Sequence, residues 1–135
     1  MMPLARLPDW PLRLAAYIEV ARPVQFAWAV HDCCTWAAGA VEVITGARVP
    51  LPLYDGQRSA ARLLRAVGGL QVAVMDVLGS PVAPALARRG DVVLLEQLPG
   101  RPALAVCVGH AWAAPGLYGL AFGPMAEACA AWRIG

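Results

Sequence analysis

The sequence predicts an α+β domain, and three observations carry that prediction. Helical periodicity fills the first half of the chain, short continuous apolar runs bounded by Gly and Pro fill the second, and 135 residues suit one domain with its own core. Helices first, then a small antiparallel sheet of about four to five strands, is the order of an α+β fold. The whole chain, 1–135, reads as that single domain, without internal repeat, low-complexity tract or linker.

The elements follow in order. Asp9 as N-cap, Pro11 in the first turn and apolar residues at Leu12, Leu14, Ala15, Ile18 and Ala21 predict a helix from Trp10 to Ala21, ended by Arg22-Pro23. Val24 to Val30 is expected to be extended or irregular. From Cys33 to Thr45 small and apolar residues occupy nearly every face, which predicts a buried helix headed by Asp32 and closed by Gly46. Pro50, Pro52 and Asp55-Gly56 mark a loop; Ser59 is positioned to cap a short helix through Ala66, and Leu70 to Leu78 predicts another. Arg89-Gly90-Asp91 is a turn signal before a strand at Val92–Leu95. Leu98 to Pro102 closes a hairpin into a strand over Ala103–Val108. A third strand is expected at Ala111–Ala113 before an Ala114-Pro115-Gly116 turn, a fourth at Leu117–Phe122, a helical turn from Pro124 to Cys129, and a last strand at Ala131–Ile134.

Composition narrows the function classes. Apolar residues make up 59% of the chain, but Arg, Asp and Pro interrupt them, and no run reaches the ~18 residues of a spanning helix, so the protein is not expected to span a membrane. Met1 to Pro11 lacks an apolar core and a small-residue cleavage site, so it does not read as a secretion signal, and synthesis in a bacterial cytoplasm is expected. The net charge of +2 forms no basic stripe and argues against nucleic acid as a partner. Cysteines at 33, 34, 107 and 129 have no metal-ligand spacing, so neither a metal site, a disulfide framework nor another cofactor is expected. Cys107 and Cys129 read as small buried hydrophobes. The five tryptophans fit a core or a protein contact better than a sugar groove.

Cys33 is the residue on which a function can be built. At a helix start, unpaired N–H groups and the helix dipole favour a thiolate. Nucleophilic catalysis also needs a base and a group to orient it. Asp32 reads first as the cap of that helix and Asp91 as the residue that fixes the turn into its strand by accepting backbone N–H groups. Cys33 is preferred to Cys34 because it directly follows Asp32, and neighbouring helix positions about 100° apart are not expected to share a site.

Phe26-Ala27-Trp28 leading to Asp32-Cys33-Cys34-Thr35-Trp36, then Arg89-Gly90-Asp91-Val92-Val93, then Ala103 to Gly109, resembles the NlpC-type cell-wall peptidase superfamily. The resemblance implies a papain-like fold that cleaves peptidoglycan stem peptides. It is nearer to a phage and prophage branch carried among tail-tip genes, with Ala131-Trp132-Arg133-Ile134 as a matching ending. Aligned on Gly109, the family's catalytic histidine falls on Ala103, which cannot accept a proton. His31, just before the helix, is expected to turn outward, and His110 would have to act as the base if the protein were active. The reading is therefore a tail-tip structural or assembly protein of the virion tail, with a degenerate catalytic set and other tail-tip or hub proteins as partners. The alternative is an active peptidase or amidase acting on peptidoglycan during DNA entry, with Cys33 as nucleophile and His110 as base. A small regulatory or toxin-system domain is a third class that explains the motifs less well.

Overall fold

The computed structural model describes residues 3–98 and 101–135. Among these, the chain runs through α1 (Trp10–Ala21), α2 (Cys33–Thr45), α3 (Gln57–Val67) and α4 (Leu70–Leu78), then β1 (Val92–Leu98), β2 (Arg101–Cys107), β3 (Ala111–Gly116), β4 (Gly119–Pro124) and β5 (Ala128–Trp132). The strands form one antiparallel sheet in the order β4-β3-β2-β1-β5. The predicted α+β order, helices first and a five-stranded sheet second, is the observed one. The hairpin expected at Leu98–Pro102 joins β1 to β2, but its Pro99 and Gly100 lie outside the described residues, as do Met1 and Met2.

Alternation along the strands sends side chains to two opposite faces. Val92, Leu94, Leu104, Val106, Ala113, Ala130 and Trp132 meet the helices in the larger core, while Val93, Leu95, Ala105, Cys107, Trp112, Ala114 and Ala131 form a second cluster beneath Val82, Ala87 and Met125. The sheet is thus covered on both sides, which explains why β1 reads as a continuous apolar run.

Helix α2 sits against this sheet because its side chains are small. Ala37, Ala40, Val41 and Ile44 are buried, and Gly39 leaves room for the Tyr17 phenol of α1, which a Cβ there would overlap. The Tyr17 hydroxyl donates to the Trp36 carbonyl at 2.8 Å and its ring stacks on Trp36 at 4.8 Å between centroids. Trp36 in turn donates its Nε1–H to the Ala113 carbonyl across the sheet at 2.9 Å. One aromatic column therefore joins α1, α2 and β3 with every polar atom of that contact satisfied.

Helices α3 and α4 are held differently. Leu70 and Val74 of α4 are buried, but α3 buries none of its residues. Gly68 and Gly69 join the two helices at φ +102° and +114°, conformations that a side chain resists.

Several boundaries depart from the sequence reading for physical reasons. Strand β3 continues through Pro115 to Gly116 instead of turning at Ala114, and the turn is Leu117-Tyr118. Pairing of β3 with β2 is confined to Ala113 and Trp112, so Pro115 lies where β3 has one free side and a missing N–H leaves no gap in a ladder. The expected turn from Pro124 to Cys129 shrinks to a single 3₁₀ turn at Met125–Glu127, and the last strand begins earlier, at Ala128. Cys129 is exposed, not buried. Leu94 pairs with Ala130 and Leu95 with Ala128, so Cys129 is the extra residue of a bulge and is pushed off the ladder. Asp9 occupies the N-cap of α1 without a side-chain cap bond. Ser59 lies inside α3, which starts at Gln57; its hydroxyl accepts from the Gly56 N–H at 3.2 Å.

Candidate functional site

Asp32 builds the head of α2. Its Oδ1 accepts the Thr35 N–H at 2.9 Å, the Asp32 N–H donates to the Thr35 hydroxyl at 2.8 Å, and the pair closes a capping box. Its Oδ2 accepts the Ala29 N–H at 2.9 Å and the Tyr54 hydroxyl at 2.6 Å. The Ala29 bond holds a tight turn in which Ala29 takes φ 65°, while the Tyr54 bond pins the proline-rich loop across the helix start. Burial works to raise the Asp32 carboxyl pKa, but the hydrogen bonds from Thr35, Tyr54 and Ala29 outweigh it and hold the group below its ordinary value. Asp32 is a fully engaged cap, as expected.

Two half-buried thiols follow. Hydrogen bonding from the Cys34 thiol to the Cys33 sulfur is the main influence lowering the Cys33 pKa; burial opposes it, and the backbone N–H of Leu104 adds to the lowering. Cys34 moves the other way, well up, because its thiol keeps its proton while donating a hydrogen bond to the Cys33 sulfur and is itself buried. The thiolate-prone sulfur is therefore Cys33. The expectation that neighbouring helix positions would not share a site is corrected: both cysteines line one cavity of about 480 Å³, which continues along α2 past Ala37, Ala38 and Val41.

The β2 residue beside Cys33 is Leu104, not Ala103. Leu104 pairs with Leu94 on the helix-facing side and lines the same cavity as Cys33, whereas Ala103 pairs with Leu95, whose side chain belongs to the opposite face. Ala103, the position expected for the histidine, therefore faces away from the thiols, because a strand inverts with each step. The conclusion about chemistry is unchanged, since leucine cannot accept a proton either.

Neither histidine takes that place. His110 is exposed past the end of β2 and lines a different cavity, of about 400 Å³, with Arg22, Arg89 and Phe122. From Leu104 to Cys107 alone is about 10 Å of strand, before the turn carries His110 further. His31 does not turn outward: it is half-buried, edge-on to Trp36 at 6.0 Å, with Nε2 buried and without a hydrogen-bond partner. Burial lowers its pKa, against the pull of Asp32, and it lines neither cavity.

Asp91 stands elsewhere again. Fully buried, it accepts from Arg6 at 2.9 Å and the Ile134 N–H at 3.0 Å through Oδ1, and from the Arg88 N–H at 2.8 Å through Oδ2. Arg6 also donates to the Ile134 and Arg89 carbonyls, both at 2.7 Å, and lies 4.1 Å over the Trp10 ring. The expected turn-fixing role holds, and Arg6 is the partner that sequence reading missed. A single cation in the apolar first segment was the available signal. The Cys107 N–H donates to the Asp91 carbonyl, which puts Asp91 at the far end of β2 from Leu104 and Cys33.

The Asp-Cys and Gly-Asp pairs therefore serve two separate places. Tyr54 and Leu104, which complete the thiol site, were also missed; strand register identifies Leu104 but could not be fixed from one sequence. Among the described residues, no three His, Cys, Asp or Glu side chains gather as a metal site, and no helix is long and apolar enough to cross a membrane. In comparison with known families, a model described as Domain of unknown function (DUF6950) matches residues 5–134. No curated protein matches the chain.

Proposed function

The chain belongs to the DUF6950 family, and from that premise, which brings no activity with it, we propose a non-catalytic assembly subunit of a phage or prophage tail tip, built on a papain-like domain without its base. The observation that carries this reading is Leu104 beside Cys33, where an imidazole would have to stand to take the thiol proton. The tail-tip context rests on the resemblance to the phage branch of the NlpC-type superfamily. Other tail-tip and hub proteins are the partners this reading names, and the virion tail is its location. A lowered thiol pKa at a helix start is compatible with an inherited scaffold as well as with catalysis.

The cavity supports the same reading. Its walls are mainly Ala, Val, Leu and Pro, so an extended stem peptide would leave its backbone N–H and C=O groups largely unpaired there. The purified protein and its Cys33→Ala variant are expected to release peptidoglycan fragments at the same background level. Release by the parent protein above that of the variant would restore the peptidase reading. Mass spectrometry of purified particles tests the location directly, and its absence from tails would remove the assembly role.

The local geometry gives a sharper test. Leu104→His should place an imidazole beside the thiol and raise the alkylation rate of Cys33 by iodoacetamide at pH 6 by about tenfold or more, because an imidazolium partner lowers a thiol pKa. Peptide mapping reads the modification at Cys33 itself. An unchanged rate would mean that side chain 104 does not reach the sulfur.

A further inference from the structure

The thiol site opens into a cavity between α2, the sheet and the α3–α4 pair that the proposed role leaves unexplained. Its volume of about 480 Å³ falls within the range of small-molecule sites, and its surface is predominantly apolar. Helix α3 contributes Gln57, Ala60, Ala61 and Leu64, at i, i+3, i+4, i+7 spacing, with Leu63 beside them. A row at similar spacing, Arg58, Arg62 and Arg65, lies about 100° around the same helix and is exposed, with no acidic residue anywhere in α3.

Charge within the lining is sparse. Only Asp32 and Arg101 carry charge among the lining side chains. Asp32 is buried and its oxygens are taken by Thr35, Ala29 and Tyr54. Arg101 is exposed at the start of β2, and about 10 Å of strand separates it from Leu104 and the thiols. The cavity thus has an apolar body, one exposed cation and one fully bonded carboxylate in its lining, and three more cations exposed on the helix beside it.

We propose that this cavity binds an amphiphilic anion: a single long acyl chain ending in a carboxylate or comparable acidic head. The chain lies beneath α3 against Ala60, Leu64, Val74 and Leu104, and the head meets Arg101 in the field of the α3 arginines. Apolar transfer drives such binding and the cationic rim selects the sign of the head. A helical protein segment fits less well. One turn of helix, 10–12 Å across with its side chains and 5.4 Å long, already fills a volume of this size, whereas an acyl chain can lie along it. The site makes no use of catalysis at Cys33 and is independent of the tail-tip reading.

Titration calorimetry with palmitate below its micellar concentration tests the proposal, with hexadecanol, hexadecyltrimethylammonium and butyrate as matched probes. Palmitate is expected to bind saturably, one per chain. Butyrate should bind at least 100-fold more weakly and the trimethylammonium compound at least tenfold more weakly, with hexadecanol between. Ala60→Trp, which fills the cavity, should abolish palmitate binding while circular dichroism confirms the fold. Arg101→Glu, a surface change that leaves the core untouched, should weaken palmitate at least tenfold and reverse the preference over the trimethylammonium probe. No saturable palmitate binding, equal binding of the three long-chain probes, or palmitate affinity unaffected by both substitutions would each overturn it. So would capture of an acidic amphipathic helical peptide with which palmitate does not compete.

Discussion

Asp91→Ala is expected to remove about 3–5 kcal/mol of stability, the usual cost of stripping one partner from a buried ion pair. The Asp91 side chain is fully inaccessible and Arg6 is 13% exposed, so the guanidinium left behind would lose its charge partner with little water to replace it. The Ile134 and Arg88 N–H groups would lose their acceptor at the same time. Against the 5–15 kcal/mol that holds a typical domain together, the loss is severe, and the melting temperature should fall by roughly 10–20 °C. Urea denaturation of the purified protein measures it. The exposed Arg22–Glu19 pair, 52% and 65% accessible, is the internal control: Glu19→Ala should change stability by about 0.5 kcal/mol or less. Equal losses from the two substitutions would show that the Arg6 clasp is not the buried pair described.

The second large effect is expected at Asp32. Asp32→Ala removes a helix cap, worth about 1 kcal/mol, and leaves the Ala29 N–H and Tyr54 hydroxyl without their acceptor in a part-buried setting, for a combined loss of about 3 kcal/mol. The pH dependence carries a sign. Asp32 sits below its ordinary value of 3.8 in the folded protein, so the folded state holds its proton less tightly than the unfolded chain does. Its contribution is complete above the ordinary carboxylate range and is lost as pH falls through the lowered folded value. The stability gap between the parent protein and Asp32→Asn should therefore be widest near neutral pH and narrow from about pH 4 downward. A gap that stays level between pH 7 and pH 3 would show that the carboxylate's charge is not what holds the turn, the loop and the helix together.

These two aspartates show how much of the molecule can be read from its residues. The helix head at Asp32 is legible because a capping box is local: Asp, then Thr three residues on, is enough to state the bonds. Helices Trp10–Ala21, Cys33–Thr45 and Leu70–Leu78 are legible for the same reason, since the spacing of apolar residues and the following Arg-Pro or Gly specify them without reference to the rest of the chain. The Arg6–Asp91 pair spans 85 residues and leaves no local trace beyond a cation in an apolar stretch. Strand facing is also nonlocal. Ala103 and Leu104 are both plausible neighbours of a thiol until the pairing with Leu95 and Leu94 is known, and one step decides between them. Pro115 reads as a turn residue because proline usually interrupts a ladder; that β3 has lost its second partner by that point is information held by the sheet. The cavity beneath α3 belongs to the same class, being made by five separate stretches of chain.

Helix α3 completes the contrast. It is regular and well hydrogen-bonded within itself, yet it contributes nothing wholly buried to the core and is joined to α4 through two glycines with positive φ. Local stability follows buried contact rather than regularity of backbone, so this helix belongs to the low end of the molecule's range of opening free energies while α2 belongs to the high end. Release of α3 is therefore expected to cost less than unfolding of the whole domain and to leave the Tyr17–Trp36 stack and its bond to the Ala113 carbonyl intact.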